Sequence, residues 1–339
     1  GTNGNNPTLS SIYGTLQTSG FGNANLFLMN PAGFLFGPNA TVNVGGMVSF
    51  TSADYLRFGD GKLFNALPNP NADALLSSVP VAAYGFLGAN PGAITVQGSQ
   101  LSVTPGQSLS LVGGNITIQS GTLDNGSVQT AKLSAQGGQI NLASVASPGE
   151  ILVGTLAQVP NINGQSFGNL GSVQISEQSI IDVSGNGGGT VLIRGGQFML
   201  DSSTISANVT GPGPIANGVE SIGGGIDIVV SQNAVIQNAG VLETNISGNA
   251  TTGVQYGGVH LKADSIQIIG SEDFVNNPFT GIRSDISPGS TGGNSGNILL
   301  EANTVLVQDL GTFTTTLETT TGGAGNAGNI TLTANNNMT

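Results

Sequence analysis

The side chains able to do acid–base, nucleophilic or metal chemistry are few in this chain of 339 residues: one histidine, His260, eighteen carboxylates, six lysines and arginines, and no cysteine. Hydrolysis of a glycosidic bond needs two carboxyl groups facing each other, about 5–9.5 Å apart. The acids here are spread thinly. The only adjacent pair, Glu272-Asp273, sits in the insertion Gly270 to Gly281 and reads as part of a solvated loop. Lyase chemistry would need a basic residue beside a calcium cluster, yet Arg57, Lys62, Lys132, Arg194, Lys262 and Arg283 are scattered. A nucleophilic triad needs a histidine beside a serine, and His260 lies at an outward strand position between Val259 and Leu261. One histidine without cysteine makes no zinc site. No acids fall at EF-hand spacing, and the glycine runs Gly185 to Gly189 and Gly322 to Gly328 lack the regular Asp of calcium-binding nonapeptides. No glycine-rich Lys-Ser/Thr loop exists for phosphates. No metal site and no cofactor are expected.

The elements that would carry any site follow from composition. The chain holds 55 glycines and no Trp, and only 7% of it is charged, so the polar remainder is Gly, Ser, Thr and Asn rather than Lys and Glu. That disfavours helices, whose exposed faces carry long charged side chains. It also disfavours ordinary disorder, which combines low hydrophobicity with high charge. A formal charge of −12 offers no basic cluster for phosphates, so nucleic acid is excluded as a partner, and anionic membranes would repel the surface. The most apolar stretch, Val79 to Ala89, is about 11 residues long and contains Pro80; a spanning helix needs about 17–25. Stable membrane insertion is not expected.

A short phrase recurs from about residue 170: glycine, then apolar–x–apolar. It reads Gly171-Ser-Val173-Gln-Ile175, Gly189-Thr-Val191-Leu-Ile193, Gly224-Gly-Ile226-Asp-Ile228, Gly257-Gly-Val259-His-Leu261, Gly296-Asn-Ile298-Leu-Leu300 and Gly328-Asn-Ile330-Thr-Leu332. The first apolar positions are 18, 35, 33, 39 and 32 residues apart, which means fixed strands and elastic loops. A second apolar strand comes next (Phe198-Met-Leu200, Ala234-Val-Ile236), and an Asx-Val/Ile-Ser/Thr phrase closes each unit. Three short strands per unit, each unable to bury its inward face alone, stack into an all-β, right-handed parallel β-helix, a single-stranded solenoid. The alignment predicts an inward ladder of Val191, Ile226, Val259, Ile298 and Ile330. Asn297 and Asn329 share a corner where an amide ladder would fit. On the outer face Asp227 neighbours His260 and Lys262 neighbours Glu301, expected as exposed pairs of about 0–1 kcal/mol each.

The front of the chain differs. Seven of the thirteen Phe residues fall between Phe21 and Phe64, an aromatic-rich N-terminal cap or fatter first section. Asn30-Pro31-Ala32-Gly33 lies between two apolar strands and reads as a tight turn: Pro31 fixes φ, Gly33 tolerates the backbone angles at the turn's exit, and Asn30 bonds backbone ahead of itself. This turn runs on into Phe34-Leu35-Phe36-Gly37, then Ala40-Thr-Val-Asn-Val-Gly-Gly46 and Phe50-Thr-Ser-Ala-Asp54. Together these segments resemble the secretion domain of filamentous-haemagglutinin-type exoproteins, the cargo half of two-partner secretion systems. The pattern continues weakly through Asn90-Pro-Gly-Ala-Ile-Thr-Val96. The family's turn reads Asn-Pro-Asn-Gly; Ala32 departs from it. An earlier Asn-Pro-Asn-Leu turn of the family would lie before Gly1, so the chain reads as a domain lacking its first portion.

The resemblance implies a chain threaded unfolded through an outer-membrane β-barrel transporter, reaching the outside via the periplasm. It would fold there and act as a surface adhesin or filamentous structural protein, meeting a glycan or protein receptor on a host or neighbouring cell. It implicates Asn30, Pro31 and Gly33 in export. It divides the chain into residues 1–100, the C-terminal part of a secretion domain, and 101–339, a β-helical passenger continuous with it. Insertions enter repeatedly at one corner, after the Asx-Val/Ile-Ser/Thr phrase. Phe274 and Phe279, on the separate insertion 270–281, are candidates for surface contact, against the plainer reading that they tuck over the coil. The rival class is a β-helical polysaccharide-degrading enzyme, a lyase or glycoside hydrolase. Two acids close together on adjacent coils with a basic residue beside them would favour it.

Overall fold

The structure, a computed structural model, describes residues 2–3, 6–68, 73, 77, 79–153, 167–213, 224–271, 279–310 and 315–339. Among these residues all regular structure is strand, and no helix is present. The alternation of apolar and small polar residues with glycine at corners leaves each strand one apolar side, which stacking of successive coils buries. The result is the parallel β-helix. One coil shows its plan: Thr190–Gly195, Gln197–Asp201 and Thr204–Ser206 lie on a first, second and third face.

On the first face Leu26–Met29, Val48–Thr51, Ser108–Gly113, Gln139–Ser144, Thr190–Gly195, Gly225–Val230 and Gly258–Lys262 pair in parallel in that order. The next coil adds Ile298–Gln308, which spans the first and second faces without a break. The third face is a nine-stranded parallel sheet running from Thr15–Gln17 to Thr315–Glu318.

The inward ladder falls in the expected register: Val191 beside Ile226, Ile226 beside Val259, Val259 beside Ile298, and Ile298 beside Ile330. The first four are fully buried; Ile330, on the last described coil, is 38% exposed. One apolar interior runs from Phe34 to Val305. The Asn297–Asn329 corner forms a different bond from a side-chain amide pair. The Asn329 backbone N–H donates to Asn297 Oδ1 at 2.9 Å, so the side chain satisfies the next coil's main chain.

The aromatic section is fat in two senses. Phe34, Phe36 and Phe50 fill the interior, with Phe36 and Phe50 ring centroids 4.7 Å apart and edge-on. Outside the solenoid, Tyr55–Phe58, Leu63–Asn65, Val81–Phe86 and Gly149–Leu152 form a separate antiparallel sheet. Its Leu56, Tyr84, Phe86 and Ile151 pack with Val112 and Ala143 from the outward side of the first face. Tyr84 Oη and Ser49 Oγ share a hydrogen bond of 2.8 Å there. Arg57 grips Glu150 through two nitrogens, and Tyr55 donates to the same carboxylate at 2.8 Å, tying the Gly149–Leu152 strand back across the sheet.

This overturns one expectation. From Ser108–Gly113 through Gln139–Ser144 to Thr190–Gly195 the outward side of the first face is not a solvent face, since every residue of these strands is buried. Parallel strands covered on both sides are the ordinary case in sheets. Asp227 is 1% and His260 8% exposed, so this pair is not the surface pair expected of it. Lys262 and Glu301 remain half exposed, as a rim pair.

The corner insertions are built structures. Loops 249–257, 289–296 and 322–328 stack on each other through bridges Asn249–Thr291 and Gln255–Asn294, and through Asn326 bonded to Asn294 Oδ1 at 3.0 Å. Tyr256 is buried beneath them with Val209, Ile246 and Ile286 in a small core of its own.

Candidate functional site

The turn at Asn30 joins the first face to the second, between the strands Leu26–Met29 and Phe34–Phe36. The Gly33 N–H donates to Asn30 O at 2.8 Å and closes a four-residue turn with Pro31 at its first central position. The Ala32 N–H donates to Asn30 Oδ1 at 3.1 Å, the forward bond expected of this side chain. Its amide nitrogen does something the sequence did not suggest: it donates to Thr8 O and to Ser10 Oγ, both at 2.8 Å. Asn30 is 5% exposed.

With Thr8 and Ser10 on one side, the following coil holds the turn from the other. The Asn30 N–H donates to Thr51 O at 2.9 Å, and the Gly92 N–H donates to Pro31 O at 3.1 Å. Gly33 has φ +92°, and a Cβ there would stand 2.1 Å from Ala93 O. Glycine is required on both counts, by backbone angle and by the approach of the next coil.

The second site is a line of five charged side chains running along the outward side of the first face. Arg194 donates to Asp227 Oδ2 and, at 3.0 Å, to the Asp227 carbonyl one coil on. His260 Nδ1 lies 2.7 Å from Asp227 Oδ1, and its Nε2 lies 3.0 Å from Glu301 Oε2 on the following coil. Lys262 Nζ completes the line 3.3 Å from that same Glu301 oxygen. Strand geometry accounts for the order. Asp227 and His260 stand directly opposite, as do Lys262 and Glu301, whereas Arg194–Asp227 and His260–Glu301 are diagonal neighbours two positions apart.

Burial works against the charge on Asp227, but the bond from His260 and the Arg194 guanidinium outweigh it and hold the carboxyl below its usual range. Burial likewise pulls His260 down, and the bonds to Asp227 and then Glu301 more than reverse this, raising it above its ordinary value. The bond from His260 chiefly lowers Glu301. The direct contacts were legible from the aligned phrases. Arg194 was missed because a diagonal partner does not share an alignment column.

This cluster sets acids and bases on neighbouring coils, the pattern that would favour an enzyme. Its buried carboxylate and its imidazole are engaged with each other. Both ring nitrogens of His260 are occupied by carboxylates, and Asp227 is saturated by Arg194 and His260, so neither presents a free proton acceptor to a substrate. The Glu272-Asp273 pair and Phe274 lie outside the described residues. Phe279 lies over the Arg283 guanidinium, 4.8 Å from Cζ to the ring centroid, and Arg283 pairs with Glu243 at 2.9 Å. Among the described residues no group of three or more His, Asp or Glu is arranged to hold a metal ion.

The fold and the stacked turn together define a β-solenoid module, with an accessory sheet against one face. The sequence profile described as the TPS secretion domain matches residues 2–193, and the chain belongs to that family of two-partner secretion domains. The match includes the Asn30 turn and extends past the first hundred residues, where the motif resemblance is concentrated. No curated protein and no solved structure matches the chain. Membership makes the protein cargo of an outer-membrane transporter and a secreted protein.

Proposed function

We propose that the chain is a non-enzymatic exoprotein that acts outside the cell as an adhesin or filamentous structural protein. The observation carrying this reading is continuity: the apolar interior runs unbroken from the family-matched coils into those beyond residue 193, as far as Val305. The later coils thus prolong the same rod, and a rod displays its flanks. Stacked corner loops are the natural place for contacts with a glycan or protein receptor. Asn30, Pro31 and Gly33 serve export by fixing the first corner. Since the Asn30 side chain is saturated in the folded state, its contribution is to let that corner form, rather than to be read by the transporter from a finished surface.

The test is export of the protein with and without its transporter, for the natural sequence and for Asn30→Ala. The expected result is transporter-dependent release of the natural protein and a marked loss for the variant. Release without the transporter would remove the two-partner route. Cleavage of polysaccharide by the purified exported protein would replace the adhesin reading with the enzymatic one.

A further inference from the structure

We propose that the line Arg194–Asp227–His260–Glu301–Lys262 is a pH-sensitive latch, which clamps four successive coils while the imidazole carries both protons and loosens the last of them when one is lost. An ionised carboxylate can only accept hydrogen bonds, so a ring nitrogen facing one must donate. His260 faces Asp227 at 2.7 Å and Glu301 at 3.0 Å, which requires N–H on both nitrogens. The charges then alternate along the solenoid axis, plus, minus, plus, minus, plus. A neutral ring would set a lone pair against one of the two carboxylates.

The surroundings decide which contact gives way. The coil before supplies Asp227, backed by Arg194; the same strand supplies Lys262, which reaches Glu301; the coil after supplies Glu301. Leu299, directly opposite His260 on that coil, is uncharged. No other charged group among the described residues contacts the imidazole. Asp227 is 1% exposed and held by Arg194, whereas the Glu301 side chain is 36% exposed and keeps Lys262. Loss of the proton therefore opens Nε2–Glu301, between Gly258–Lys262 and Ile298–Gln308.

His260 is the chain's one histidine, and histidine is the side chain whose ordinary pKa, about 6.5, lies between pH 5 and 8. Its pKa in the fold is raised, so the folded state holds the proton more tightly than the unfolded chain does. The stabilisation is complete below about pH 6.5 and is lost as pH climbs through the folded value. Each unit of elevation corresponds to about a tenfold change in the opening equilibrium.

A single histidine makes the test unambiguous. In the full chain, imidazole nitrogen resonances followed from pH 5 to 10 should show both nitrogens protonated at pH 6 and a midpoint above 6.5. Amide exchange at Ile298 to Glu301, corrected for base catalysis, should accelerate about tenfold per unit of elevation through that midpoint. Exchange at Val191 to Arg194 should not. His260→Gln should abolish the excess. A singly protonated ring at pH 6, a midpoint at or below 6.5, or the same excess in His260→Gln would overturn the proposal. The resonance measurement needs no variant, so it decides even if His260→Gln fails to fold.

Discussion

Between Val48–Thr51 and Gly258–Lys262 the outward side of the first face is largely buried, in two ways. Toward the N-terminus Val112 and Ala143 lie under Leu56, Tyr84, Phe86 and Ile151 of the antiparallel sheet, with Ser49 and Tyr84 bonded to each other. From Thr190 onward the outward positions add Arg194, Asp227 and His260, paired among themselves, to the apolar Leu192 and Val229. Apolar cover stabilises in proportion to area, about 25 cal/mol per Å². A buried ion line contributes little net stability, because desolvation offsets most of the attraction, yet removing one member is expensive. The first region gains stability from its cover. The second ties neighbouring coils together in one observed register.

Both regions share one interior, and breaking it is the largest effect expected. Ile226 is fully buried between Val191 and Val259. Ile226→Asp places a carboxylate in the apolar stack and should destabilise by about 5 kcal/mol or more. Thermal melting checks it, and a variant melting like the natural protein would show that the inward ladder is misassigned.

Next comes the contrast between the two kinds of cover. Asp227→Ala leaves Arg194 and His260 buried without their shared carboxylate and should cost about 3–5 kcal/mol in urea unfolding. Replacing Arg194, Asp227 and His260 together by Met, Leu and Leu should restore stability to near the natural level, since a well-packed apolar set replaces a buried ion line without penalty. If the triple variant were as unstable as Asp227→Ala, the line would be a net source of stability and the contrast would fail.

A smaller step probes the apolar side. Tyr84→Phe removes only the hydroxyl bonded to Ser49 and should cost about 0.5–1.5 kcal/mol. The two regions should also part in alkali. Burial, opposed only in part by the Ser49 bond, pushes Tyr84 up to about 12. The unfolded phenol titrates near 10, so this contribution is intact below about pH 10 and is lost only as pH rises toward the folded value. Amide exchange within Val81 to Phe86 should stay flat, after correction, across the range where the His260 contact opens. Equal acceleration in both regions would mean global loosening.

The solenoid was legible because its signal is repetition: one phrase at 18 to 39 residue intervals gives strands, register and inward positions without further knowledge. The Asn30 turn was legible because Asn, Pro and Gly each have a local reason to be there. The antiparallel sheet was not, because its pairings join residues as distant as Tyr55 and Glu150, and no period or spacing records them. Burial of Asp227 and His260 was illegible for a related reason. Alternation in a strand says which side chains face away from the interior; it does not say whether something else lies against that side.

The smallest effect marks where the charged line meets water. Lys262 has a side chain 55% exposed and touches Glu301 at 3.3 Å. Exposed pairs of this kind contribute about 0–1 kcal/mol and are screened by salt. Lys262→Ala should therefore shift the urea midpoint slightly at low ionic strength and not at all at about 1 M salt, where the Debye length is about 3 Å. Asp227→Ala, buried and unscreened, should keep most of its cost under the same salt. Salt thus separates the rim of the line from its interior, and a salt-insensitive loss for Lys262→Ala would mean that burial extends one residue further out than Glu301.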